Sequence, residues 1–247
     1  MSRLDQTVVF HNHGAKLIAH RGMCGLRLEN TLPAFRIASE HNCYGIETDV
    51  HRTRDGKFII FHDNDTLRLT GVKKIVEDTD YDNLRSLKLS DPAHEEGRPL
   101  QMPSLDEYLH ICKETGKVSF LEIKNHMESE DLDNIVQIVM EHGMLNHTIF
   151  LSFDLPNLVQ LRMRLPEQKI QLLMDADAGN LMSDLTNYQL DLAISHQVLT
   201  ERRLRQLQNA GIEVNVWTVD DPALAEKLSE WGVDYITTGI LDEAKED

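Results

Sequence analysis

The sequence predicts an α/β protein whose parallel sheet closes into a (β/α)8-type barrel, and three observations carry that prediction. In the second half of the chain, short apolar runs alternate with helix-like stretches, the pattern of parallel strands joined by crossover helices. The length, 247 residues, suits one such barrel, which typically needs about 250. Charged and aromatic residues also recur at the C-terminal ends of the strand-like runs, the end where a parallel barrel carries its chemistry. An open doubly wound sheet is the alternative, but no glycine-rich phosphate fingerprint follows the first strand.

Composition narrows the function classes. An apolar fraction of 41% is enough for a full core. The formal net charge of -16 argues against a general nucleic-acid or membrane-surface binder, since both favour a basic face. An acidic protein can bind an anion only through a local cationic pocket or a metal. Cys24, Cys43 and Cys112 form no disulfide framework and no metal-ligand spacing, so a reducing compartment is expected. No signal-peptide core and no bilayer-length apolar run are seen, so a cytoplasmic protein without stable membrane insertion is expected. The oligomeric state stays open.

The elements follow in order. Thr7 to Phe10 is a short apolar run, and His11 and His13 belong to a surface turn. Lys16 to Ala19 is a strand ending in His20 and Arg21. Asn30 or Thr31 caps a helix that Pro33 helps to start and that runs to about His41. Gly45 to Val50 is the next strand. Residues two apart on a strand share a face, so Glu47 and Asp49 point one way while Ile46, Thr48 and Val50 point the other. A turn at Asp55-Gly56 leads to Phe58 to Phe61 and then His62-Asp63. No helix separates these two runs, and the chain returns in extended form. Residues 71–101 read as a short insertion on the barrel rim, with a short helix near Asp80 to Leu87. The whole chain, 1–247, reads as one domain.

Pro103 and Ser104 start a helix that ends near Gly116. In the strand Val118 to Ile123, Phe120, Glu122 and Lys124 share one face. A helix from Ser129 to His142, a strand from Thr148 to Ser152 and a helix from Asp154 to Leu165 come next. Then follow a strand at Ile170 to Met174, a helix from Asn180 to Tyr188 and a strand at Leu192 to Ser195. A helix capped by Thr200, a strand from Glu213 to Val219 holding Trp217, a helix opened by Asp221-Pro222 and a strand at Asp234 to Thr237 complete the pattern. From Lys16 onward nine strand-like runs compete for the eight places of a barrel, so one is surplus.

The residues gathered at strand ends define a chemistry. Glu47, Asp49 and Glu122 are three carboxylates suited to one hard divalent ion, Mg²⁺ or Ca²⁺; zinc would ask for more His or Cys. Like charges on one strand face repel unless a cation lies between them. Arg21 and Lys124 are cations suited to a phosphate group. His20 and His62 supply an acid and a base that titrate near neutral pH. Taken singly, each has a plain structural role open to it: Glu122-Lys124 as a strand ion pair, Trp217 as core, either histidine as a buried hydrogen-bonding group. Together they describe phosphoester cleavage.

This ordered set resembles the glycerophosphodiester phosphodiesterase family. The resemblance is carried by His20-Arg21-Gly22, Glu29-Asn30-Thr31, Glu47-Thr48-Asp49-Val50, Thr53-Arg54-Asp55-Gly56 and His62-Asp63 with Leu67-Arg68-Leu69-Thr70. Met102-Pro103-Ser104, Glu122-Ile123-Lys124, Val216-Trp217-Thr218-Val219 and Trp231-Gly232-Val233-Asp234 continue it. It implies a TIM-type barrel with Glu47, Asp49 and Glu122 as metal ligands, His20 and His62 as the acid–base pair, and Arg21 and Lys124 on the phosphate. Trp217 is expected on the substrate. The implied reaction is hydrolysis of small glycerophosphodiesters such as glycerophosphocholine to glycerol 3-phosphate and an alcohol, by direct water attack or through a cyclic phosphate. Three positions depart from the family pattern: Leu28 replaces a proline, Asp220 an asparagine and Gly239 an aspartate, the last leaving one less acid expected near the mouth. A phospholipase D-like or phosphoinositide-type lipid phosphodiesterase is the second reading, and a non-catalytic phosphodiester-binding barrel the third.

Overall fold

The computed structural model describes residues 6–91, 99–176 and 179–243. The first half contains β1 (Val8–Phe10), β2 (Lys16–Ala19), α1 (Leu32–Glu40), β3 (Gly45–Arg52) and β4 (Phe58–Ile60). Then come α2 (Leu67–Thr70), α3 (Tyr81–Arg85), α4 (Leu105–Thr115), β5 (Val118–Ile123) and α5 (Ser129–Glu141). The regular alternation follows with β6 (Thr148–Ser152), α6 (Leu155–Arg164), β7 (Ile170–Met174), α7 (Leu181–Asn187) and β8 (Asp191–Ser195). It closes with α8 (Glu201–Asn209), β9 (Val214–Trp217), α9 (Pro222–Glu230), β10 (Tyr235–Thr238) and β11 (Leu241–Glu243).

Eight parallel strands make the barrel, in the order β2, β10, β9, β8, β7, β6, β5, β3. The seam is β2, which pairs with β10 on one side and with β3 on the other. The surplus run is β4. It lies antiparallel to β3, with Val50 opposite Ile60 and Arg52 opposite Phe58, so the return without a helix is a hairpin. Gly56 at its tip has φ +77°, a left-handed conformation that glycine adopts without a Cβ penalty. The run at Thr7 to Phe10 forms β1, which pairs in parallel with β11 outside the barrel. The expected pattern named neither β11 nor α2.

Local chemistry explains the helix boundaries. Thr31, not Asn30, caps α1: its side chain accepts from the Ala34 N–H, and Asn30 is left for another task. Ser104 and Glu107 form a reciprocal capping box on α4, which satisfies two otherwise orphaned N–H groups. Asp154, Thr200 and Asp221 cap α6, α8 and α9 with side-chain acceptors.

Packing divides into layers. Ile46, Val50, Leu121 and Ile123 face outward into the large core beneath the helices. Ile18, Phe120, Ile149, Leu151, Leu173, Ala193 and Tyr235 fill the barrel interior. A separate small core of Ile59, Phe61, Leu69, Val76, Leu84 and Met102 holds the rim segment against the hairpin. Of the stretch 71–101, residues 92–98 lie outside the described residues.

The N-terminal end of the barrel carries its own polar layer. Lys169 Nζ lies 2.6 Å from Glu213 Oε2, and the Tyr235 hydroxyl donates to the same carboxylate at 2.8 Å. Asp191 accepts from the Glu213 N–H and Asp234 from the Val214 N–H. Burial pushes the Asp191 carboxyl up to about 6. His11 and His13 are exposed. No described helix is long and apolar enough to cross a membrane.

Candidate active site

Strand register brings the three acids together. Asp49 on β3 sits directly across from Glu122 on β5, and Glu47 lies two residues back on the same face. Ligand oxygens from Glu47, Asp49 and Glu122 all fall within 4.8 Å of one another, and all three residues are buried. Glu47 and Glu122 of this cluster line a cavity of about 220 Å³ at the C-terminal mouth, together with His20, Arg21, His62, Phe153 and Trp217.

Backbone conformation at the mouth is specialised. Arg21 has φ +52° and Asn30 φ +53°, unusual for residues with a side chain. The turn at Arg21 aims its N–H at Glu47 Oε2, 2.8 Å away. Asn30 donates from Nδ2 to Asp49 Oδ2 at 2.7 Å and accepts from Thr48 through Oδ1. The residue expected as a possible helix cap therefore grips a carboxylate instead. Its neighbour Glu29 accepts from both Arg21 and Arg68. Arg68 in turn donates to Asp63, whose Oδ1 lies 2.8 Å from His62 Nδ1.

Burial and charge set the ionisation of this group. Burial, reinforced by the charges of Asp49 and Glu122, pushes the Glu47 carboxyl well above the usual range. Burial and the Asp49 charge push Glu122 up to about 7. Burial opposes the Asp49 charge too, but Lys124 and Arg21 outweigh it and hold that carboxyl well below the usual range. His20 is pulled down to about 3 by burial and by Arg21. His62 is lowered as well, by burial, against the pull of Asp49.

Two expected residues stand behind the cavity wall. Lys124 places Nζ 2.7 Å from Glu122 Oε1 and 3.3 Å from Asp49 Oδ1. Neither Lys124 nor Asp49 lines the cavity. The Asp49 Oδ1 contact is an ion pair without hydrogen-bond geometry, so that buried oxygen lacks a hydrogen-bond partner. Arg21 Nε is also unpartnered, 3.6 Å from Asp49 Oδ2. A hard divalent ion fits this donor set, because three crowded carboxylates would lose their mutual repulsion around it.

The rest of the lining mixes Trp217, Phe153 and two leucines with Asn215, Thr218 and Thr237. Trp217 ends β9 and meets Phe153 edge to face, ring centres 5.8 Å apart. Phe153 was not among the expected site residues, although an aromatic directly after β6 carries the same strand-end signal as Trp217. Asp220 corrects another expectation. Its Oδ1 accepts from Gly239 N and Thr238 Oγ1 and lies 3.6 Å from where a side chain on Gly239 would begin. An acid thus stands near that part of the mouth, carried by position 220.

The sequence profile of the glycerophosphoryl diester phosphodiesterase family matches residues 20–243. The chain belongs to that family. A probable glycerophosphodiester phosphodiesterase of Mycobacterium tuberculosis is 28% identical, with 96% of this chain and 92% of the relative covered. An Oleispira antarctica phosphodiesterase solved with its product sn-glycerol-3-phosphate is 26% identical, with a TM-score of 0.85, covering 91% of this chain and 92% of the other. A Parabacteroides distasonis glycerophosphodiester phosphodiesterase is 28% identical with a TM-score of 0.79, over 93% and 94% of the two chains. Family membership makes phosphodiester cleavage the activity class of this glycerophosphodiester phosphodiesterase.

Proposed function

We propose that the chain is a metal-dependent hydrolase of small glycerophosphodiesters, releasing glycerol 3-phosphate and an alcohol. The observation that carries this reading is the convergence of Glu47, Glu122, His20, Arg21 and His62 on one cavity, with Asp49 completing the acid cluster just behind its wall. The three carboxylates would hold one divalent ion, Mg²⁺ or Ca²⁺. When bound, such an ion supplies positive charge for the phosphoryl oxygens.

The chain's own groups do the rest. Arg21 offers its guanidinium to a phosphate at the cavity wall, a charge-assisted contact. Lys124 supports the phosphate from behind, once the acids it now bridges are compensated. His20 and His62 form the acid–base pair, one taking a proton from the attacking oxygen and the other giving one to the leaving oxygen. Trp217, with Phe153, forms the apolar side against which the substrate's carbon skeleton packs. A cytoplasmic location and a free small-molecule substrate agree with the net charge of -16. The product in the Oleispira antarctica neighbour supports the same class of product here.

The test is release of glycerol 3-phosphate from glycerophosphocholine and glycerophosphoethanolamine, with EDTA and then with Mg²⁺ or Ca²⁺ restored. Release that stops with EDTA and returns with one ion is expected. Release unaffected by exhaustive chelation would sink the metal assignment.

A further inference from the structure

The two mouth histidines have different partners behind them, and the difference assigns each a tautomer. His62 Nδ1 lies 2.8 Å from Asp63 Oδ1. A carboxylate only accepts, so Nδ1 carries the proton and Nε2 is left with a lone pair. His20 Nδ1 lies 3.8 Å from Cys24 Sγ. A thiol is a weak acceptor but has an S–H to give, whereas imidazole nitrogen is a good acceptor. Donation from the S–H to Nδ1 is the stronger of the two pairings, and it leaves the His20 proton on Nε2.

The thiol is held in that place. Its slot is walled by Gly239, where an added Cβ would come within 2.7 Å of Sγ. The backbone around it is pinned: Gly25 N–H donates to Gly239 O at 2.8 Å, and His20 N–H to Thr238 O at 2.8 Å. Asp220 fixes the Thr238-Gly239 turn from the other side. Burial keeps the sulfur as a thiol.

We propose that Cys24 is a positioning residue that holds His20 in the proton-donating tautomer, so that His20 serves the leaving group and His62 the nucleophile. The inference rests on the diesterase reading above. In the step it describes, His62 Nε2 takes the proton of the attacking hydroxyl as the new P–O bond forms. The old P–O bond breaks, and His20 Nε2–H passes its proton to the departing alkoxide, leaving a ring anion whose Nδ1 accepts the Cys24 S–H and which lies beside the Arg21 charge. Proton exchange with water then restores both rings.

A pair of substrates separates this role from a structural one. Glycerophosphocholine has an alkoxide leaving group that needs a proton. Glycerol phospho-p-nitrophenol has the same phosphoglycerol half and an aryl leaving group that departs without one. Cys24→Ala is expected to lower kcat/KM on glycerophosphocholine by about tenfold or more, a part of the usual acid–base effect, and to leave the aryl ester nearly unchanged. Gly239→Ala, which crowds the thiol, is expected to give the same selective loss, and the double variant no more than the larger single loss. Asp63→Asn is expected to slow both substrates, because attack precedes departure in either case. An equal loss on both substrates in Cys24→Ala, or none on either, overturns the proposal; so does an Asp63→Asn loss confined to glycerophosphocholine. If the wild-type protein releases glycerol 3-phosphate from neither substrate, the diesterase reading fails, not the tautomer argument alone.

Discussion

The two ends of the barrel both concentrate acids, partly buried at the N-terminal end and buried at the mouth, and they treat them differently. At the N-terminal end, Glu213 is met by Lys169 and Tyr235, and Asp191 and Asp234 each accept a backbone N–H. At the mouth, Glu47, Asp49 and Glu122 crowd within 4.8 Å, and among the described residues the cationic side chains against them are Arg21 and Lys124. At the N-terminal end each acid has a hydrogen-bond donor of its own and does not crowd the other two. The mouth is left short of positive charge, and such a deficit makes a place for a cation and an anionic group beside it. Clustered acids alone are therefore not the signal of a site; crowding without a matching cation is.

The comparison can be broken most severely at the mouth histidines. His62→Ala or His20→Ala is expected to slow glycerophosphocholine turnover about 10²–10⁴-fold, or about 3–5 kcal/mol of barrier, with an unchanged melting temperature. Wild-type rates in both variants would remove the acid–base assignment. A mouth acid comes next. Glu47→Gln is expected to raise the Mg²⁺ or Ca²⁺ concentration needed for half-maximal activity, with excess ion recovering part of the rate. In metal-free buffer the same variant should melt at a higher temperature than wild type, since it relieves a repulsion. A lower melting temperature there would mean that Glu47 supports the fold and is not in conflict with it.

The other end should respond in stability and not in rate. Asp191 holds its proton more tightly folded, at about 6, than unfolded, at an ordinary 3.8. Stability therefore falls as pH rises from roughly 4 to 6 and stays reduced above it. Asp191→Asn is expected to remove that fall, gaining about 1–2 kcal/mol at pH 8 after discounting for partial exposure. Urea titrations at pH 4.5 and pH 8 measure it, and an unchanged difference between the two would refute the burial argument. Lys169→Ala, breaking a half-exposed pair, should cost about 1 kcal/mol or less, with kcat/KM untouched.

Much of the fold was legible because it is local. The strands at Lys16 to Ala19, Val118 to Ile123, Thr148 to Ser152 and Ile170 to Met174 fall where apolar runs and caps place them. The acids were legible because a two-residue spacing fixes a shared face. Other features were not, for physical reasons. The pairing of β1 with β11 joins residues far apart in the chain, and no local pattern encodes a partner. Asn30 resembled a cap because the same amide that caps a helix can hold a carboxylate. The network from Arg68 through Asp63 to His62 depends on a rim turn that a four-residue helix only hints at. Lys124 was placed on the correct face, but its position behind the wall depends on how far the chain lets the ammonium reach.

The seam has a kinetic consequence. β2 carries His20 and Arg21 at its end, yet one of its two neighbours is β10, with Tyr235 beside Lys16. Contacts between such distant segments are slow to form, because loop-closure entropy is spent before they return anything. During synthesis, the strand that delivers His20 must wait, half-paired, until nearly the whole described chain has emerged. Competence of the catalytic mouth is thus among the last events of folding, and a partly made chain should expose β2 as an open edge. Chaperone capture at that stage would be read as protection of this one edge in pulse-labelled hydrogen exchange.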